Sequence, residues 1–196
     1  MAMATTRALI SKYFPPFIKQ FYRWFLKTLT FCLVSDRQYA EEHFLEVFDR
    51  HLNLDKPRTF NEKIQWLKLY YRVPIMAQLV DKYAVRGYVK GRIGDDYLKP
   101  LLGLYETVDD LVAALPSLPD QVALKATHGS GWNLFLDGRK SLTVLEIEKI
   151  RIWLNTSYYE LYREWCYKSV PRRIMAEKLI VPNDPELGVL DYKLFC

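Results

Sequence analysis

A short segment around residue 130 carries the residues with the clearest chemical potential. In the string LKATHGSGWNLF, Lys125 lies on the predicted strand that leads into the glycine loop, residues 128–133. Glycine adopts positive φ at little cost, so Gly129 and Gly131 would let backbone N–H groups approach a phosphate closely. The Ser130 hydroxyl can donate a hydrogen bond, and an ammonium on the preceding strand can meet the phosphate charge. The pattern is typical of a phosphate-binding loop, and it also occurs in ordinary β-hairpins.

Several other chemistries are excluded by the motifs that the sequence lacks. It contains no G-x-x-x-x-G-K-[ST], and Leu134 stands where the G-x-G-x-x-G fingerprint needs its third glycine, so P-loop and dinucleotide-binding motifs are absent. The sequence also lacks HExxH, G-x-S-x-G and the protein-kinase motifs. His128 and Ser130 are unfavourable as a base and a nucleophile, because neighbours in a loop rarely face each other. The three cysteines include no C-x-x-C pair, which argues against a zinc site.

The composition is that of an ordinary globular protein with a mild positive charge. The 196 residues are 50% hydrophobic and 26% charged, and they carry a formal charge of +5. These values exclude collagen-like, coiled-coil and wholly disordered chains, and the length accommodates one domain or two small ones. The charge suits phosphate-bearing ligands or an anionic membrane surface. It is far below that of a nucleic-acid-binding arm, so no nucleic-acid partner is expected.

The first 35 residues have a different character and are predicted to form an amphipathic helix. Between residues 8 and 34, four basic side chains alternate with an aromatic stripe that includes Phe21, Trp24 and Phe25. No charge-free apolar run approaches the roughly 20 residues that a membrane span requires. Two interpretations stay open, a helix packed on the protein itself and peripheral contact with the inner face of a membrane. Because a signal-peptide cleavage site is lacking, a cytoplasmic location is expected.

The rest of the sequence alternates helix and strand, which predicts an α+β fold. Capping boxes at Thr59–Glu62 and Thr143–Glu146 mark two helix starts, and the second helix is predicted to run to about Tyr167. Another helix is predicted over residues 76–90. The predicted strands cover residues 101–104, 121–127, 134–136, 172–180 and 190–196.

Several strings together resemble the ATP-grasp superfamily, and more closely its TupA-like branch, named for teichuronopeptide biosynthesis. They are PRTFNEKIQWLKLYYR, LVDKYAVRGYVKGRIGDDYLKPLLGLYE, LPDQVALKATHGSGWNLF and IMAEKLI followed by DYKLFC. The resemblance spans about residues 50–196 and implies an α+β fold in which two small lobes, preceded by N-terminal helices, hold ATP between them. The expected domains are an amphipathic helix (1–35), a helical region (36–92), the small lobe (93–171) and the start of the larger lobe (172–196).

The resemblance also implies roles for the matching residues. Lys82 and Lys125 correspond to the two phosphate-binding lysines of the smaller lobe, and residues 128–133 are similar to the flexible loop that closes over the phosphates. The strand from Glu177 to Ile180 resembles the hinge, where the acidic side chain and the backbone would read the adenine edge and the aliphatic residues would sandwich the base. Lys193 would face the phosphates. The expected ATP-binding residues are Lys82, Lys125, His128, Gly129, Ser130, Gly131, Glu177, Lys178, Leu179, Ile180 and Lys193. By residue type alone, Lys82 and Lys193 fit a solvated surface equally well, and Glu177 could pair with the adjacent arginines at 172 and 173.

The magnesium ligands of the family have no counterpart in this sequence. ATP-grasp proteins bind Mg²⁺ through acidic residues on strands beyond the hinge, whereas this sequence stops at Cys196, directly after Asp191-Tyr192-Lys193. We therefore expect the second half of the larger lobe, together with the magnesium ligands, to be missing. The 196-residue chain is accordingly expected to be inactive.

Different classes of function remain open. The resemblance implies an ATP-dependent carboxylate–amine ligase of bacterial cell-surface polysaccharide biosynthesis, with ATP and Mg²⁺ as cofactors. Its substrate would be a polysaccharide precursor or another carboxylate. One alternative is a glycosyltransferase of polysaccharide biosynthesis, for which the absence of an Asp-x-Asp triplet is unfavourable. The other is a non-catalytic module that binds a nucleotide or a partner.

Overall fold

The structure is a computed structural model that describes residues 34–182 and 189. The helix predicted for the N-terminal segment, Lys193 and the strand predicted over residues 190–196 lie outside the described residues. The described part of the chain combines helices with an antiparallel sheet, which confirms the predicted α+β class. None of its helices is long and apolar enough to cross a bilayer.

The described residues divide into two compact units. The helical unit comprises residues 34–71 and 160–165, and the sheet unit comprises residues 72–159 and 166–182. The helices over residues 75–93 therefore belong with the sheet. The predicted helical region, residues 36–92, includes them.

The helical unit is built on α1 (Asp36–Phe48) and α2 (Phe60–Tyr70). The predicted capping box begins α2, since Thr59 Oγ1 accepts from the Glu62 N–H and Glu62 Oε2 accepts from the Thr59 N–H at 2.8 Å. Arg50 adds an ion pair to the same carboxylate at 2.9 Å. The small core of this unit contains Ala40, Leu54 and Leu69.

The sheet unit contains a four-stranded antiparallel sheet with flanking helices. Its elements are α3 (Ile75–Val80), α4 (Ala84–Ile93), β1 (Leu101–Tyr105), α5 (Val108–Ala114), β2 (Gln121–Ala126), β3 (Asn133–Asp137), α6 (Val144–Asn155) and β4 (Ile174–Lys178). A short helix, α7 (Tyr158–Tyr162), contains residues of both units. The strand order is β1-β4-β2-β3, so β4 lies between β1 and β2.

β4 lies in the same sheet as the strand that precedes the glycine loop. Because β4 is hydrogen-bonded to both β1 and β2, residues 174–178 belong to the sheet that carries the glycine loop. The boundary between a small and a larger lobe at residue 172 stays a prediction.

Two helices that the sequence predicts as continuous are interrupted. The helix predicted over residues 76–90 is divided at Asp81, where the backbone is extended and the carboxylate accepts from the Tyr83 N–H at 2.8 Å. The helix that begins after Thr143 ends at Asn155 and does not reach Tyr167. Its C-cap, Thr156, is extended, and its hydroxyl donates back to the Ile152 carbonyl.

One face of the sheet packs against α5 and α6, and the other carries charge. The side chains of β2 and β4 on the packed face are Val122, Leu124, Ala126, Ile174 and Ala176. Side chains alternate along a strand, so the intervening residues point to the other side, the charged face. There Lys125 stands opposite Met175 and Glu177 opposite Ala123. Lys125 and Glu177 are therefore diagonal neighbours on one face.

Candidate functional site

Seven charged side chains, the charged cluster, are linked by ion pairs or Coulomb interactions around the charged face. Its cations are Lys82, Arg86, Lys99, Lys125 and Arg173, and its anions are Asp81 and Glu177. Five positive and two negative side chains leave a formal excess of three positive charges. An excess of this kind attracts a polyanion.

Glu177 accepts hydrogen bonds from two cations of the cluster. Its side chain is 8% exposed, and its two oxygens accept from Arg86 Nη1 and Lys125 Nζ, each at 2.8 Å. Arg86 also donates through Nη2 to the Lys99 carbonyl at 2.7 Å, which ties α4 to the segment before β1. The partners of this carboxylate thus come from α4 and β2. They are not the adjacent arginines that proximity in the sequence suggests.

Lys82 holds the base of the glycine loop. Its backbone N–H donates to the Thr127 carbonyl at 3.2 Å, and its ammonium donates to the carbonyls of Ala126, at 3.0 Å, and Gly129. Burial, and then repulsion from Lys125, lower the pKa of Lys82 to about 8. The two lysines that the sequence singles out are therefore close enough for their charges to interact.

Asp81 and Arg173 fix the position of Lys82. The Asp81 carboxylate is buried and accepts from Arg173 Nη2 at 3.1 Å. The Arg173 guanidinium also lies over the Tyr83 ring, 4.9 Å from its centroid, and the Arg173 carbonyl accepts from the Thr127 N–H at 2.9 Å. The start of α4 is thereby joined to the residue that follows β2.

The glycine loop requires its two glycines for different reasons. Gly131 has a φ of 74°, in the left-handed region that favours glycine. A Cβ atom on Gly129 would lie 2.7 Å from the Trp132 ring, so this position needs glycine because the indole packs directly on it. Ser130 lies between them and is exposed.

His128 is buried inside the base of the loop. Its side chain meets Trp132 edge to face with 5.4 Å between the ring centroids, and its Nε2 lies 2.8 Å from the Trp153 carbonyl. Burial lowers the pKa of His128, and its Nδ1 has no hydrogen-bond partner among the residues that the structure describes. His128 therefore supports the loop from inside, and Ser130 is a loop side chain that faces solvent.

The predicted hinge residues lie at the end of β4 away from the glycine loop. Lys178 and Ile180 are exposed, and Leu179 is half-buried. The N–H groups of Lys178 and Leu179 donate to the carbonyls of Pro100, at 3.1 Å, and Gln121, at 3.2 Å. These two groups are committed to the sheet and are not free to bind an adenine edge.

A comparison with protein families agrees with the chemistry of the cluster. A family model described as TupA-like ATP-grasp matches residues 62–196, more than half of the 196-residue chain. The chain belongs to the TupA-like ATP-grasp family. The matched range contains the whole charged cluster and the glycine loop of this TupA-like protein. Comparisons with curated proteins and with solved structures found no match.

Four charged residues of this TupA-like ATP-grasp domain were not predicted from the sequence to be site residues. They are Asp81, Arg86, Lys99 and Arg173. For Arg86, the one local indication of a place in the site is its position four residues after Lys82. Lys99 had none, although the structure makes it half-buried and its pKa is lowered by burial and by repulsion from Lys125.

The described part of this ATP-grasp domain fits a polyphosphate better than it fits a metal ion. Within it, no group of three or more histidine, cysteine, aspartate or glutamate residues could hold a metal. The two carboxylates of the cluster, Asp81 and Glu177, are already engaged by arginine or lysine. Hard divalent cations need several oxygen ligands, which these two paired groups do not offer.

Proposed function

We propose that this chain binds ATP, with the triphosphate held between the glycine loop and the ammonium groups of Lys82 and Lys125. One observation carries the proposal. These two lysines, distant in sequence, converge at the base of a glycine loop in a domain of the ATP-grasp family. The positive excess of the charged cluster supports the same conclusion, because it complements a triphosphate.

The proposal gives each group a separate part. Lys125 moves its ammonium to the phosphates, Lys82 holds the loop through backbone carbonyls while adding charge, and the loop presents N–H groups and the Ser130 hydroxyl. Residues 178–180 would contact the base of the nucleotide through their side chains, since the N–H groups of Lys178 and Leu179 are committed to the sheet. When bound, Mg²⁺ neutralises phosphate charge in ATP-grasp enzymes, and we assign it no ligand among the described residues.

The proposed reaction is carboxylate–amine ligation in bacterial cell-surface polysaccharide biosynthesis. A carboxylate oxygen attacks the γ-phosphorus of ATP and ADP leaves, and an amine then displaces phosphate from the acylphosphate. The cations and the loop would contribute by holding the triphosphate in a reactive orientation. Membership of the TupA-like family supports this reaction class.

Calorimetric titration with ATP and Mg²⁺ tests the binding site. Lys125→Met should weaken ATP binding about tenfold or more, because a hydrogen bond to a charged group contributes about 1.5–3 kcal/mol. The matched control is Lys63→Met, which removes the same charge from an exposed position on α2 and should bind ATP like the unaltered chain. Equal affinities for Lys125→Met and the unaltered chain would contradict the assignment.

The reaction class needs a separate assay. ADP release should require both a carboxylate-bearing polysaccharide precursor and an amine, because the acylphosphate forms from the first and is consumed by the second. ATP binding without ADP release under any substrate pair would favour the non-catalytic nucleotide-binding module.

A further inference from the structure

We propose that Arg86 is a reserve counter-ion for Glu177, which allows Lys125 to leave Glu177 and move to the phosphates of ATP. The inference rests on the proposed ATP site. Arg86 is a positioning residue in this scheme, because it acts on Lys125 through Glu177 and does not touch the nucleotide.

The burial of Glu177 creates the need for such a residue. Its side chain is 8% exposed and lies on a strand that is paired on both sides. A buried carboxylate without a counter-ion is strongly unfavourable. If Lys125 were the sole partner of Glu177, moving its ammonium to ATP would leave that carboxylate unpaired beside an incoming polyanion.

Arg86 removes this obstacle because it stays on Glu177 when Lys125 leaves. The guanidinium is held at two points, by the Glu177 carboxylate at 2.8 Å and by the Lys99 carbonyl at 2.7 Å. It is also always charged, and its planar fork suits two fixed acceptors. The Arg86–Glu177 pair therefore persists with or without ATP.

Lys125 is held less firmly than Arg86. Within the described part of the chain, its ammonium makes one hydrogen bond, to Glu177, and it stands on a flexible four-carbon stem. Lys82 and Lys99 lie close enough to repel it, which favours its transfer to an anion. The structure thus joins one fixed cation and one movable cation to the same carboxylate.

The first test compares two arginines of α4 by ATP titration of the full 196-residue chain. Arg86→Met should weaken ATP binding about tenfold, which corresponds to about 1.4 kcal/mol. The control is Arg92→Met, an exposed arginine of the same helix that changes the net charge equally, and its effect should stay within about twofold.

The second test is a double-mutant cycle with Glu177→Gln. When residue 177 is neutral, Lys125 leaves no charge behind, so Arg86→Met should no longer weaken ATP binding relative to Glu177→Gln alone. A merely structural role of Arg86, through its bond to the Lys99 carbonyl, would persist in the Glu177→Gln background. If circular dichroism shows that Arg86→Met does not fold, Arg86→Lys replaces it in the same cycle. Arg86→Lys, which has a single ammonium in place of the guanidinium, is expected to bind ATP about threefold more weakly, again only when Glu177 is charged.

The outcomes separate this inference from the proposed function. Unchanged ATP binding in Arg86→Met, or a loss that persists with Glu177→Gln, would overturn the role of Arg86 and leave the ATP site intact. If the unaltered chain bound no ATP, the proposed function and the inference would both be overturned. A tenfold loss that disappears with Glu177→Gln would support the inference.

Discussion

Lys82 supports the glycine loop through hydrogen bonds and also places a positive charge near Lys125. Its ammonium donates to two carbonyls at the base of the glycine loop and is repelled by Lys125. Burial and this repulsion lower its pKa to about 8, from the ordinary 10.5. The side chain therefore loses its charge only slightly above neutral pH, in a range where most lysines stay protonated.

The affinity for ATP should consequently fall as pH rises above about 8. If the Lys82 ammonium binds phosphate, its deprotonation removes that attraction, so the dissociation constant should increase between pH 7 and 9.5. Lys82→Arg stays protonated throughout and should flatten the profile. Titrations at fixed ionic strength measure the effect, and a flat profile for the unaltered chain would argue against a phosphate contact by Lys82.

The two loop glycines should respond differently to alanine. Gly129→Ala forces a methyl group against Trp132 and should lower the free energy of unfolding by about 1–3 kcal/mol, with a shifted tryptophan emission. Gly131→Ala meets open space and should cost about 1–2 kcal/mol through its left-handed φ alone, with the emission unchanged. Denaturant titrations of both variants, repeated in a Trp132→Phe background, assign the emission change. Identical emission in Gly129→Ala and the unaltered chain would show that the indole does not pack as described.

At the residue scale, the site residues that could be predicted are those that lie next to one another in the sequence. Lys125 and the glycines stand side by side in one string, so their proximity needs no tertiary information. Arg86 and Arg173 find their acidic partners 91 and 92 residues away along the chain, and no local spacing encodes such a pair.

At the scale of elements, His128 joins the glycine loop to the last turn of α6. The Trp153 carbonyl can only accept, so Nε2 carries the proton of the neutral ring and Nδ1 is unprotonated. Protonation would place a charge and a donor at Nδ1, which faces no acceptor within the described ranges. Burial, which disfavours the charged ring, is the main reason why the pKa of His128 is lowered in the folded protein.

The stabilisation that His128 provides between the glycine loop and α6 should therefore weaken in acid. The unfolded histidine titrates near 6.5, and the folded pKa is lower, so the unfolded state binds more protons between these values. The contribution of His128 to the free energy of unfolding is complete above pH 6.5 and declines as pH falls through the folded pKa. Unfolding titrations at pH 7.5 and 5 should show a larger acid loss in the unaltered chain than in His128→Gln. An equal loss in both would exclude His128 as the source.

Helix starts were predictable and helix ends were not. The capping boxes at Thr59 and Thr143 are complete within four residues, and the structure forms both. The helix is interrupted at Asp81, whose carboxylate accepts a hydrogen bond from Arg173, 92 residues further along the chain. Helical periodicity carries no information about such a contact. The helix after Thr143 was also predicted too long, since it ends where the backbone of Thr156 is extended.

For the whole molecule, ATP should protect one unit from hydrogen exchange. All residues of the charged cluster belong to the sheet unit, so slowed exchange should concentrate in residues 72–159 and 166–182. At a ligand concentration of about 100 times Kd, the stabilisation is about 2.7 kcal/mol. Mass spectrometry with and without ATP measures it, and Lys125→Met at the same ATP concentration is the control. Equal protection of residues 34–71 would contradict a site confined to the sheet unit.

The fold class followed from alternating patterns, whereas the strand order did not. An α+β fold can be predicted from the succession of short apolar runs and amphipathic helices. That β4 lies between β1 and β2 depends on hydrogen bonds between segments distant in sequence.

The central position of β4 also determines when the sheet can form during protein synthesis. On the ribosome, β1 and the β2–β3 hairpin emerge first, and they cannot pair with each other because the strand between them has not been made. The 41 residues after β3, 138–178, take roughly 2–8 s to translate at about 5–20 residues per second. Throughout that interval the nascent hairpin exposes the edge of β2 to other chains. Lys125 therefore has no Glu177 to pair with until β4 has been made. A chain stalled before residue 174 would carry Lys125 and the glycine loop without that carboxylate.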